Sequence, residues 1–317
     1  MKHKGKFINY TLHQLRIFLA VVEHQSVTRA AETLALTQPA VSIQLKNLQE
    51  QLDIPLTEKV GRQLYITPFG EEIADVCRRI LAANQEIQQT VDQYHGLLSG
   101  HIHFSVVSTG KYVMPYFLSA FVSRYPEVNV RMDVTNKNQV VSDLTQNQTD
   151  FALVSVLPEN LDLEIIPLMQ NHLFLVGNKA GSQQFKDRII RPKMIEKLPL
   201  IFREKGSATR QAMEHFITTH DIPSRQTLSL TSNEAVKQAV NAGLGFSIMP
   251  LIGLRNELLN DQVDLIKVKD LPITTNWTLV YRKGKKLSPA ARAYLEYVQE
   301  EKENVIQTHF AWTDAFV

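Results

Sequence analysis

Residues 26–42 read Ser26-Val27-Thr28-Arg29-Ala30-Ala31-Glu32-Thr33-Leu34-Ala35-Leu36-Thr37-Gln38-Pro39-Ala40-Val41-Ser42, and this stretch decides the fold of the chain's N-terminal part. Ser26 suits a helix N-cap, because its hydroxyl can accept from a backbone N–H of the first turn. Behind it, Val27, Ala30, Ala31 and Leu34 form an apolar stripe at helical spacing. A short turn at Ala35 to Thr37 leads to another helix, with Pro39 in its first turn where the missing N–H costs nothing. Val41, Leu45, Leu48 and Leu52 are its expected buried stripe, and an earlier helix is read from Leu12, Leu15, Phe18, Leu19 and Val22. Small Ala30 and Ala31 allow two helices to meet around the tight turn, which is the helix-turn-helix arrangement. The same spacing also fits a three-helix core with no role in nucleic-acid binding.

Working outward, Asp53 to Ile66 holds Pro55, Gly61 and the alternating apolar positions Leu64 and Ile66, with Lys59 and Arg62 near the expected tip. It reads as a hairpin wing placed to lay cations along a DNA backbone beside the recognition helix. Thr67 then caps a helix with Pro68 at its first position, which meets no breaker until about His95. Ile73, Ile80, Ile87 and Tyr94 recur every seven residues, with Cys77, Asn84 and Val91 at intermediate positions. This heptad seam predicts a dimer through the helix, the alternative being a helix packed only on its own chain.

After Ser99 and Gly100, short apolar strands alternate with amphipathic helices. Strands are expected at 101–107, 128–134, 151–156, 173–176, 200–202, 228–230, 246–249 and 276–281, and helices at 114–125, 139–146, 209–219, 233–242 and 289–300. The alternation predicts sheets covered by helices, divided into two lobes. The fold class is therefore mixed: an all-α winged helix-turn-helix over 1–67, a linker helix over 68–98, and a two-lobed α/β domain over 99–303. Residues 304–317 are left as a tail with no assigned role.

The bulk properties agree. A chain of 317 residues with Lys and Arg totalling 34 against 32 Asp and Glu is nearly neutral overall. Residues 1–68 carry eight basic against five acidic side chains, a modest excess where DNA contact is expected. One cysteine, Cys77, allows neither an internal disulfide nor a thiolate metal cluster. With no apolar segment of signal or membrane-spanning length, the expected location is the cytoplasm, with no membrane partner.

In open α/β sheets ligands bind beyond the carboxyl ends of strands. Here those ends are small and polar: Ser108-Thr109-Gly110-Lys111, Thr135-Asn136, Arg203 with Gly206-Ser207-Ala208-Thr209-Arg210, and Thr231-Ser232-Asn233. Hydroxyls, amides and free helix N–H groups suit a small anion, with Lys111, Arg203 or Arg210 as countercharge. Ser207 and Thr209 equally suit plain helix capping. His101 and His103 share one face of a strand taken to lie at a sheet edge, with no third metal ligand evident. No Gly-rich nucleotide loop, zinc motif or catalytic triad is legible, so neither an enzyme nor a cofactor is expected. The rival is an enzyme or solute-binding protein on the same lobes, which leaves residues 11–67 unexplained.

Phe18-Leu19-Ala20-Val21-Val22, Ser26 to Ala31, Leu36 to Ser42 and Leu64-Tyr65-Ile66-Thr67-Pro68-Phe69-Gly70 are the most specific part of a resemblance to the LysR-type transcriptional regulators that runs from about Tyr10 to Glu303. Val107 to Tyr112, Thr231 to Val240 and Gly284 to Ala290 look like the branch that controls carbon-dioxide-fixation operons. The resemblance implies a two-lobed effector domain like periplasmic binding proteins, and assembly as a dimer and often a tetramer. It places contacts to double-stranded DNA on Gln38, Pro39, Ser42, Ile43, Lys46 and Arg62. It places small-molecule effector contacts on Ser108, Thr109, Thr135, Asn136, Ser207 and Thr209. Thr57 stands where the family usually has Phe, and Ile43 where a polar or basic residue is common.

Overall fold

The computed structural model describes residues 8–61, 63–94, 98–223 and 226–317, and the chain divides into two compact units, Met1–Gly96 and Leu97–Val317. In the first unit, α1 (Leu12–His24) opens on a capping box in which Thr11 and Gln14 satisfy each other's backbone N–H groups. Ser26 caps α2 (Val27–Thr33) by accepting from Arg29 N, and α3 (Gln38–Leu52) follows with Pro39 in its first turn. The core takes Ala30, Ala31, Val41, Leu45 and Leu48 from α2 and α3. The buried face of α1 is rotated from the expected stripe: Ile17, Phe18 and Val21 are fully buried, whereas Leu12 is exposed. With all six residues at positions 17–22 apolar, spacing alone does not fix which side faces inward.

The hairpin of β1 (Thr57–Val60) and β2 (Gln63–Ile66) is antiparallel, with Gly61 at φ +63° in its turn. Thr67 Oγ1 donates to Pro55 O at 2.7 Å and accepts from Gly70 N at 2.9 Å, capping α4 (Pro68–Tyr94). Gly70 is dictated by closeness: a Cβ there would sit 2.1 Å from Leu56 O. Ala74 and Cys77 are buried in the core of this unit, and Ile73, Ile80 and Leu81 pack against it. Ile73 and Ile80, expected in the dimer seam, are thus partly covered by their own chain. Ile87 and Val91 farther along are exposed.

The second unit begins with β3 (Gly100–Val107), α5 (Met114–Arg124), β4 (Val128–Thr135), α6 (Lys137–Thr145) and β5 (Phe151–Val154). Next come β6 (Leu163–Asn178), α7 (Lys179–Ser182), β7 (Leu200–Arg203), α8 (Ala208–Thr219), β8 (Gln226–Leu230) and α9 (Asn233–Asn241). The last elements are β9 (Ser247–Pro250), α10 (Arg255–Leu259), β10 (Val263–Ile266), β11 (Ile273–Arg282) and α11 (Pro289–His309). β3 pairs in parallel with both β4 and β5, so His101 and His103 are not on an edge strand as expected. His103 instead meets Asp133 (2.7 Å) and the Gln148 carbonyl (2.5 Å).

Three apolar clusters fill the lobes. Phe104, Phe117, Phe121, Phe151, Trp277 and Tyr294 fill lobe I, while in lobe II Leu175, Leu200, Phe216 and Ile248 form one cluster and Phe174, Val176, Ile201 and Val240 another. β6 belongs to both lobes: residues 163–173 pair with β11, residues 173–176 with β9 and residues 175–178 with β10. The expected strand at 173–176 is thus the second half of a longer one. Its first half was hidden by Pro167 and by the exposed apolar side chain of Ile165. α11 likewise continues past 303 to His309, and Phe310 enters the core of lobe I.

Candidate functional site

On α3, burying Val41, Leu45 and Leu48 turns the opposite face outward. Gln38, Pro39, Ile43 and Lys46 are exposed there, Ile43 to 57%, and Ser42 is half-buried. Gln38 Nε2 donates to Ser42 Oγ at 3.1 Å, aligning two polar groups along the helix. Lys46 lies 3.6 Å from Glu50 with both side chains largely in solvent, a weak pair that leaves the ammonium available. Arg62 lies outside the described residues. Thr57 finds a polar substitute for an aromatic anchor: Gln49 Oε1 accepts from Leu56 N, Thr57 N (both 3.0 Å) and Thr57 Oγ1 (3.1 Å). Gln49 therefore fixes the hairpin to α3. Nothing in its sequence context marks that role, since its partners lie seven and eight residues away. Burial pushes the Cys77 thiol up to about 11, which leaves it protonated at neutral pH.

In the second unit, parallel pairing of Val107 with Thr135 sets the ends of β3 and β4 side by side, so Ser108 and Asn136 follow at one edge of lobe I. Parallel β7 and β8 do the same for Arg203 and the segment before Asn233 in lobe II. The edges face each other across a cleft. Lys137 Nζ donates to Gln211 Oε1 at 3.1 Å on one side, and Tyr112 OH to Glu234 Oε2 at 3.2 Å on the other. Gly206, at φ +89°, brings lobe II backbone against Asn138: a Cβ there would lie 3.0 Å from the amide. The N-termini of α6, α8 and α9 belong to these edges and add positive potential.

The expected effector residues divide by what their side chains already do. Asn136 is a cap, accepting from Gln139 N at 2.9 Å, and Ser232 caps α9 in the same way. Ser207 occupies the N-cap position of α8 without making a side-chain cap bond, so the capping alternative does not account for it. Thr109, Ser207 and Thr209 are buried, Ser108 and Thr135 half-buried. Arg203, expected as countercharge, is already spent: it holds Glu204 through Nε (2.8 Å) and Nη2 (2.9 Å) and Asn233 Oδ1 through Nη1 (2.6 Å). Arg210 is engaged too, with Glu214 at 2.6 Å and the Arg203 carbonyl at 2.7 Å. Lys237 sits between Glu234 (3.0 Å) and Glu257 (2.8 Å).

Further cations at these edges include Lys111, whose ammonium lies 5.1 Å from the Tyr112 ring, and Lys137, which sequence reading passed over. Its position directly after Thr135-Asn136 was the available signal. Burial pushes the Tyr112 hydroxyl up to about 12, so it remains a donor to Glu234. Burial acts to raise Glu234, but hydrogen bonds from Gln238, Lys237 and Tyr112 outweigh it and hold the carboxyl below its usual range. Asn233 Nδ2 is buried with no acceptor among the described residues.

The LysR substrate binding domain family matches residues 95–303, and the lysR family of bacterial regulatory helix-turn-helix proteins matches residues 12–71. The chain belongs to the LysR family. This LysR-type transcriptional regulator is 34% identical over 297 residues to the HTH-type transcriptional activator CmpR of a Synechocystis species, covering 94% of this chain and 97% of that protein. It is 36% identical over 294 residues to the RuBisCO operon transcriptional regulator of Allochromatium vinosum, covering 93% and 97%. Among solved structures, the regulatory domain of Synechocystis CcmR in complex with 2-PG superposes with TM-score 0.62 at 30% identity, covering 65% of this chain and 99% of that one. Full-length CbnR complexed with its target DNA superposes with TM-score 0.67 at 20% identity, covering 92% and 99%, a likeness of fold. The RuBisCO operon regulators among the relatives agree with the branch that the sequence resembled. No described helix of this LysR regulator is long and apolar enough to cross a membrane.

Proposed function

We propose that the chain regulates a carbon-fixation operon from the cytoplasm, reading its operator through α3 and answering to a small anionic metabolite held between the lobes. Gln38, Ser42 and Ile43 are assigned to base edges, Pro39 to close packing, and Lys46 and Arg62 to phosphates. Dimerisation places two such helices on one operator. In the cleft, Ser108, Thr109, Thr135, Ser207 and Thr209 are assigned to the effector, with Lys111 and Lys137 as its countercharge. Arg203, Asn136 and Asn233 shape the site rather than supply charge to it.

The observation that carries this reading is the division of labour among the cleft side chains. Ser207 stands at a helix N-terminus with its hydroxyl not used for capping, while Lys111 and Lys137 have no acidic partner among the described residues. Such a set is suited to binding an anion, and it contains no activated nucleophile, so the reading is a regulator and not an enzyme. The Synechocystis regulatory domain bound to 2-PG makes that compound the first probe.

Calorimetric titration of the full chain with 2-PG is expected to saturate. Thr109→Val keeps the shape and removes the hydroxyl, and should weaken binding about tenfold or more while operator binding without effector persists. A Thr109→Val variant that binds 2-PG like the parent would remove Thr109 from the site.

A further inference from the structure

The family match ends at residue 303, and the chain beyond it spans both lobes. Phe310 is 1% exposed in the lobe I core, with ring centroids 5.2 Å from Tyr116 and 6.1 Å from Phe117. Two residues later, Trp312 packs against the apolar clusters of both lobes, and the Arg255 guanidinium of lobe II lies 5.5 Å from its ring. Phe316 and Val317 then join Leu258, Val263 and Leu265 of lobe II in lining a cavity of about 970 Å³.

The segment also lies near the strands that join the lobes. His172 of β6 pairs with Thr274 of β11, Nδ1 to Oγ1 at 3.1 Å, and Asp314 acts electrostatically on that imidazole against the effect of burial. Apart from the tail, the contacts described between the lobes at the cleft are Lys137 to Gln211, Tyr112 to Glu234, the approach of Asn138 to Gly206, and the Tyr112 ring lying against Gly253 beside Ile252, which joins the lobe I cluster. The tail is therefore a second apolar tie, larger than the one at Tyr112: Phe310, Trp312 and Phe316 add three aromatic side chains to what Tyr112 and Ile252 supply.

We propose that residues 310–317 are a strap, anchored by Phe310 in lobe I and by Trp312 and Phe316 on lobe II, that holds the lobes at one angle and so sets the effector concentration at which the regulator switches. Its second half rests on the cleft being the effector site. A strap that favours the arrangement with facing cleft edges raises the fraction of binding-competent chains, and apparent affinity scales with that fraction.

The test uses full-length chains carrying Cys77→Ala, with spin labels at Glu127→Cys in lobe I and Glu196→Cys in lobe II, both exposed positions. Labelled protein is diluted with unlabelled protein so that distances within one chain dominate. Two variants are compared with this parent: a stop after Phe310, which spares the buried anchor, and Trp312→Ala. The expected result is one narrow distance in the parent, a broader distribution in both variants, and a 2-PG midpoint moved upward about fivefold or more. An unchanged distribution in both variants overturns the strap. A broadened distribution with an unmoved 2-PG midpoint overturns its role in the response. If 2-PG fails to bind the parent while the distribution still broadens, the cleft reading falls and the mechanical strap stands.

Discussion

The first and second halves of α4 carry the same heptad pattern and meet different surroundings. Ala74 and Cys77 are 0% and 1% exposed, and Ile73, Ile80 and Leu81 lie against the core formed by α1 to α3. About two to three turns beyond Leu81, Ile87 is 67% exposed and Val91 45%. A helix of 27 residues extends about 40 Å, longer than a three-helix domain can cover. The seam is therefore partly covered by its own chain at one end and left uncovered at the other. An apolar repeat states that a face will be buried without stating by what.

The largest effect expected from this comparison is at the buried end. Cys77→Glu introduces a carboxylate and extra volume into a packed site, and should cost the helix-turn-helix unit about 3 kcal/mol or more. Calorimetry of the full chain should show the transition of the first unit lowered or lost, with the second unit's transition in place. A first transition within a degree of the parent's would mean that Cys77 is not a core residue.

At the exposed end, Ile87→Glu combined with Val91→Glu should leave that thermal transition nearly intact and separate the proposed dimer. Operator affinity should then fall about a hundredfold, because the second half-site contact is no longer tethered to the first. Sedimentation velocity decides the point: a double variant that remains dimeric removes the second half of α4 from the interface.

The same contrast explains what was legible in the sequence. Ser26, Pro39, Thr67 and the α2 and α3 stripes act within a few residues of themselves, so spacing and cap chemistry located them. The α1 face was displaced because Ile17 and Val21 are as apolar as Leu12 and Leu19, and only the packed structure ranks them. In the second unit the strand ends were found by composition, but their charges were not. Arg203 looked like a free cation, yet Glu204 follows it at the strand's end and folds back to neutralise it. Lys137 acquires its place only because α6 meets Gln211, 74 residues away in the chain. Side chains whose partners are remote in sequence, such as Gln49 and Trp312, gave no local signal at all.

The smallest effect concerns another exposed isoleucine. Ile43 and Ile87 are both apolar side chains in solvent, at 57% and 67% exposure, so exposure does not tell them apart. Their neighbours do. Ile43 shares its face with Gln38, Pro39, Ser42 and Lys46, a polar and cationic surface, whereas Ile87 continues an apolar seam. On a face that enters the major groove, the apolar feature available from a base pair is the thymine methyl. Ile43→Ala should therefore weaken specific operator binding by about 1 kcal/mol and leave non-specific binding nearly unchanged, since the phosphate contacts remain. Replacing the contacted thymine with uracil removes only the methyl, and should reproduce the loss with the parent protein but add nothing with Ile43→Ala. Binding titrations on a half-site substituted one thymine at a time decide the matter. If every uracil duplex binds parent and variant with the same ratio as the unmodified operator, Ile43 is a solvent-facing residue that reads no base.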